Sequence, residues 1–148
     1  MRTAIADQGQ AEGAAFVERF ANAWASPELG RFENLWHPSI VLEQPGLPRA
    51  VGIEEARSSF RRLLKAFPGL HGEVLSWQGD GTIVFIELRL RVPAGRRPLE
   101  WTLVDKIQLE DGLARQRTTY MDPGALLVGV IVRPSLWARM PRLFLAPR

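Results

Sequence analysis

Phe16, Phe20 and Trp24 recur every four residues, with Val17 and Ala21 beside them. Apolar residues at this spacing fall on one face of a helix. The pattern predicts an amphipathic helix over residues 10–25, ended by Ser26-Pro27, with residues 1–8 frayed. Leu29, Phe32, Leu35 and Trp36 predict a second, short helix that stops at Pro38. Residues 39–44 read as a strand, and the P-G-L-P-R-A-V-G that follows as a loop. Ile53, Ala56, Phe60, Leu63, Leu64 and Phe67 return to helical spacing and predict a third helix over residues 53–67. Alternation then takes over. Strands are predicted over residues 71–78, 82–92, 98–109 and 113–121, joined by turns at Gly79-Asp80-Gly81, Pro93-Ala94-Gly95 and Asp111-Gly112. From Pro123 the chain is again helical to about residue 132, is broken at Pro134, and resumes toward Phe144. Helices followed by a long antiparallel meander define an α+β domain.

One residue breaks this pattern. On the strand at 98–109, Leu99, Trp101, Leu103, Ile107 and Leu109 share one face, and Asp105 stands among them. The other face carries Glu100, Thr102, Val104, Lys106 and Gln108. A carboxyl on the apolar face needs a partner or must become neutral, and either state is useful to an enzyme. A structural carboxylate held by backbone N–H groups or by an Arg is the alternative. The strand before it is two-faced as well. Ile83, Phe85, Glu87, Arg89 and Arg91 alternate with the wholly apolar Val84, Ile86, Leu88, Leu90 and Val92. One row lines a pocket and the other the back of the sheet. Gln44 shares parity with Ile40 and Leu42, which makes it an inward polar group. Arg117 shares parity with Leu113, Arg115, Thr119 and Met121. That reading favours a surface position, although from an inward one Arg117 could reach a carboxylate or a substrate oxygen.

Composition narrows the chemistry. The 148 residues suffice for one domain with a core, and 46% of them are hydrophobic and 24% charged. Cysteine is absent, which excludes disulfides, thiolate metal sites and Cys nucleophiles. His37 and His71 are the only histidines and sit on separate elements, so no metal site is expected. The net charge of +3 is spread through the chain, and a nucleic-acid stripe would cluster on one element. The N-terminus has no apolar leader, and no apolar run approaches the length of a membrane span. A cytoplasmic protein is the default expectation. The C-terminal segment is apolar with interspersed Arg. Gly129, Pro134 and Pro141 interrupt it, so it is expected to pack on the pocket mouth or a neighbouring subunit and not to lie on a membrane.

The ordered set F-V-E-R-F-A-N-A-W, L-W-H-P-S-I-V-L-E-Q-P, V-G-I-E-E-A-R-S-S-F and V-D-K-I-Q-L-E-D-G-L-A…Y-M-D-P resembles the nuclear transport factor 2-like superfamily over about residues 14–123. The resemblance is greatest to its SnoaL-like polyketide cyclase branch, with ketosteroid isomerases and limonene epoxide hydrolases as relatives. It implies a cone-shaped, curled antiparallel sheet whose N-terminal helices close a pocket, and frequent dimers through the outer face of the sheet. Asp105 falls where the isomerases keep a hydrogen-bond-donating Asp and where the cyclases often place a His. Gln44 falls where the isomerases have their general base, and Phe20 where they have an oxyanion Tyr. Thr119 falls where the cyclases and hydrolases carry a catalytic Asp. Phe85 and Glu87 fall where the hydrolases have an Arg and an Asp, so the match places Glu87 inside.

Residues 1–123 are expected to form the pocket domain, and residues 124–148 an apolar helical extension of it. The expected activity is ring closure or isomerisation of a hydrophobic, polyketide-like or terpenoid-like substrate by acid–base chemistry, with no cofactor. Asp105 and Glu87 are the expected catalytic pair. Gln44, Phe20, Trp24, Phe60, Phe85, Trp101, Arg117 and Thr119 are expected to bind substrate. Epoxide opening and a non-catalytic, dimeric ligand-binding module are the alternatives. The apolar row from Val84 to Leu90 is expected to form a homodimer interface.

Overall fold

The structure, a computed structural model, describes residues 1–139. Two helices, α1 (Arg2–Ala25) and α2 (Leu29–Glu33), precede strands β1 (Trp36–Glu43) and β2 (Ala50–Val51). Helix α3 (Ile53–Ala66) leads to β3 (His71–Gly79), β4 (Ile83–Val92), β5 (Leu99–Glu110) and β6 (Leu113–Tyr120). Helix α4 (Pro123–Ile131) and a 3₁₀ segment, Pro134–Arg139, follow. The strands form one six-stranded, curled and unclosed sheet in the order β2-β1-β6-β5-β4-β3. The fold is α+β as expected, but the sheet is mixed: β1 runs parallel to β6, and every other pair is antiparallel.

The N-terminus differs from its expectation. Residues 2–9 are helical, because α1 runs on past its apolar stripe and lies against the β3–β4 turn. Gly13 makes this approach possible. A Cβ there would stand 2.8 Å from the Asp80 carbonyl oxygen. Leu35 and Trp36 leave α2 and enter the sheet; the Ala114 N–H donates to the Leu35 carbonyl at 2.7 Å. In α3, Glu54 and Glu55 occupy the first turn and Lys65 the last, which suits the helix dipole.

The core fills the space between the helices and one face of the sheet. Trp24, Phe32, Trp36 and Phe60 form a ring cluster with centroids 4.7–6.0 Å apart. The sheet contributes Val84, Ile86, Leu88, Leu90 and Val92, all buried. This corrects the expected dimer face. At about 1.5–3 kcal/mol for each fully buried large side chain, the row stabilises the fold from inside. The opposite row of β4 is then on the outer face, which Phe85 and Glu87 share with Val104 and Tyr120.

Candidate functional site

Ile86 pairs with Asp105 in the β4–β5 register, so the carboxylate points into the same interior as the apolar row. Its exposure is 0%. Across the next ladder Asp105 pairs with Thr119, and the Thr119 hydroxyl donates to Asp105 Oδ1 at 2.5 Å. Arg117, two residues earlier on β6, brings Nη2 to 2.7 Å from Asp105 Oδ2. This contact is a close ion pair without hydrogen-bond alignment, and Oδ2 has no aligned donor among the described residues.

Arg117 is itself enclosed. Its guanidinium carbon lies 5.6 Å from the ring centroids of both Trp24 on α1 and Phe60 on α3. Aromatic faces at that distance favour a cation. The sheet thus supplies the counter-charge and the helices supply the π-faces, and the guanidinium is held from both layers. Arg117 is therefore buried beside the cavity, as its place among the expected site residues requires, and not at the surface. The physical reason is a bulge at Arg115: Leu109 pairs with Ala114 while Gln108 pairs with Gln116. The extra residue reverses the alternation, so Ala114, Arg117 and Thr119 all point inward.

A cavity of about 100 Å³ opens above this pair. Gln44, Arg117 and Thr119 give it polar edges, and Trp24, Trp101 and Leu126 are among its apolar walls. Asp105 does not line it. The carboxylate stands behind Thr119 and Arg117 and reaches the cavity through them. The Trp24 indole N–H and Arg117 Nε are buried donors with no partner among the described residues.

The remaining expected site residues divide by depth. Trp24, Gln44 and Trp101 line the cavity. Phe20 and Phe60 are buried in the core and do not line it; Phe60 packs against Trp24 and Arg117, which do. Phe85 and Glu87 are not in the site. Phe85 is exposed on the outer face, and Glu87 accepts a hydrogen bond there from the Ser76 hydroxyl at 3.3 Å. The apolar row claims the interior, so the pairing of Glu87 with Asp105 is geometrically excluded. Sequence reading missed Leu63 and Phe67 on the α3 side and Leu103 and Met121 on the sheet side. Each carried only the ordinary signal of a core residue. Among the described residues, one group could offer clustered metal ligands: His37, Glu110 and Asp111 near the β5–β6 turn. None of them lines the cavity, and Arg115 already occupies Glu110 at 3.3 Å.

A family model for SnoaL-like domains matches residues 17–117. The chain belongs to the SnoaL-like domain family. Asp105 and Arg117 lie within the matched span, and Thr119 falls two residues beyond it. No functionally curated protein matches the sequence. Solved structures share the fold of this SnoaL-like domain. An epoxide hydrolase of M. tuberculosis, of the limonene epoxide hydrolase-like type, superposes with a TM-score of 0.69 at 19% identity, covering 84% of this chain and 92% of its own. A provisional SnoaL-like polyketide cyclase from Jannaschia sp. CCS1 gives 0.71 at 19% identity, covering 84% and 95%. TsrD from Streptomyces laurentii gives 0.64 at 23% identity, covering 86% and 96%.

Proposed function

We propose that this SnoaL-like domain is a cyclase or isomerase that acts on a hydrophobic, polyketide-like or terpenoid-like molecule by acid–base chemistry without a cofactor. The observation that carries the reading is the buried Asp105–Arg117–Thr119 set behind an otherwise apolar cavity. Its geometry suits a proton relay. Thr119 spends its hydrogen on Asp105, which leaves its oxygen lone pairs for a proton arriving from the cavity side. As substrate yields a proton to Thr119 and Thr119 passes its own to Asp105, the carboxylate becomes neutral. Arg117 then loses its counter-charge and faces the new enolate oxygen. The positive charge stays in place while its anion changes from protein to substrate, which is preorganised electrostatic stabilisation. Gln44 orients the substrate as a neutral donor or acceptor. A ring-sized substrate needs more than about 100 Å³, so this reading requires the cavity to widen on binding.

The alternatives rank below this reading. Epoxide opening needs a second acid, and Glu87 is on the other face of the sheet. A non-catalytic binding module is favoured by one observation: both Asp105 partners are already within the protein. Proton exchange separates the two. An apolar β-diketone in D₂O exchanges its activated methylene protons, which NMR follows directly. The relay predicts acceleration by the protein and a loss of about 10²–10⁴-fold in Asp105→Asn, the usual range for a positioned proton-transfer group. Binding of the diketone without acceleration would assign a binding module.

The SnoaL-like domain is also proposed to form a homodimer through the outer face of its sheet. Phe85, Val104 and Tyr120 are exposed there on neighbouring strands.

A further inference from the structure

Helix α4 is apolar on both sides. Inward, Leu126 lines the cavity and Val130 is buried, while Gly129 allows close approach to Leu99 on β5. Outward, Leu127, Val128, Ile131 and Val132 form a second apolar face. Trp137 extends it from the 3₁₀ segment, its indole N–H donating to the Val130 carbonyl at 3.0 Å. All five are more than half exposed, so packing on the pocket mouth covers only the inward face of the segment. A row of large apolar side chains left in water marks a contact surface.

Beside the C-terminal end of that face the charged side chains are Arg96, Arg97 and Arg133. Arg133 donates to the carbonyls of Gly129, Pro98 and Arg97, which ties the end of α4 to the β4–β5 turn. This brings Arg96 and Arg97 beside Val132. Both are exposed, and neither side chain makes an ion pair or hydrogen bond among the described residues. From Pro123 to Arg148 the sequence has four Arg, at positions 133, 139, 142 and 148, and no Asp, Glu or Lys. A second copy docked by two-fold symmetry would bring Arg96, Arg97 and Arg133 against themselves. An anionic lipid surface would meet both features at once, the apolar row entering the acyl boundary and the arginines the headgroups.

We propose that the outward face of α4, with Trp137 and the Arg96–Arg97 turn, docks this protein on an anionic lipid surface. Docking of this kind is peripheral; among the described residues no helix is long and apolar enough to cross a membrane. Leu126 lies on the same helix, so the wall of the cavity would sit at the lipid boundary, where a hydrophobic substrate partitions.

Co-sedimentation of the full chain with vesicles tests the inference. Vesicles of phosphatidylcholine alone are compared with vesicles containing phosphatidylglycerol. The expected result is binding to the anionic vesicles that is weakened by salt. Arg96→Ala with Arg97→Ala should weaken it at least tenfold, at roughly fivefold per basic residue. Ile131→Asp should abolish it with the circular dichroism spectrum unchanged, since Ile131 is exposed and its replacement removes no core contact. Absence of binding to anionic vesicles overturns the proposal. So does a dimer that Ile131→Asp dissociates while vesicles remain unbound, which would assign the face to self-association.

Discussion

Asp105 and Arg117 depend on each other. Removing one partner of a buried ion pair leaves an uncompensated charge, at about 3–5 kcal/mol. Arg117→Met is expected to cost that much in urea unfolding, whereas Asp105→Leu with Arg117→Met should recover most of it. Recovery in the double variant separates a charge effect from a packing effect. Thr119→Val keeps the shape and removes one hydrogen bond to Asp105, for about 1–3 kcal/mol. Its larger expected effect is on methylene exchange, where it breaks the relay. Half of this site was legible in the sequence. Asp105 is a polar residue on an apolar strand face, and alternation alone exposes it. Arg117 was legible as a candidate partner, but the bulge at Arg115 that turns Ala114, and not Leu113, to the same side was not, because no residue type announces it. Glu87 was misplaced for a related reason. Alternation separates two faces but does not say which is interior, and five buried apolar side chains decide that.

At the scale of elements, α1 and the β3–β4 turn hold each other in place. Asp80 accepts hydrogen bonds from the backbone N–H groups of Ile83 and Thr82, at 3.0 and 2.7 Å. These hold its carboxyl below the usual range, the Ile83 bond contributing most. A lowered folded value adds stability above the ordinary carboxylate range, and that stability disappears as pH falls through the lowered value. Glu33, lowered mainly by its hydrogen bond from Arg57, adds to the same acid limb and ties α2 to α3. Asp80→Ala should therefore reduce stability at neutral pH and flatten its decline below the ordinary carboxylate range, measured as urea midpoint against pH. On the facing side, Gly13→Val should cost about 1–3 kcal/mol, because the Asp80 backbone cannot yield as a side chain would. Most elements were legible because their periods are long and clean. The start of α1 was not, because residues 2–9 lack an apolar stripe and are ordered by a contact distant in sequence.

For the whole molecule, two exposed surfaces compete to explain its assembly: the outer face of the sheet and the outward face of α4. They are separable. Phe85→Glu should convert the proposed homodimer to monomer in sedimentation velocity without touching vesicle binding, and Ile131→Asp should do the reverse. A monomer in the unmodified protein at micromolar concentration would exclude the first. The order of the strands has a consequence for how the molecule comes into being. Strand β6 is the last to be synthesised, yet it lies inside the sheet, between β1 and β5. Until it inserts, a growing chain presents two open strand edges, and Asp105 is without the Arg117 charge and the Thr119 hydroxyl. The pairing of β1 with β6 also joins residues far apart in sequence, the kind of contact that forms slowly. The closing step of folding and the assembly of the candidate site are then one event. A nascent chain stalled before residue 113 would have α1, α2 and α3 but neither Arg117 nor Thr119 to meet Asp105.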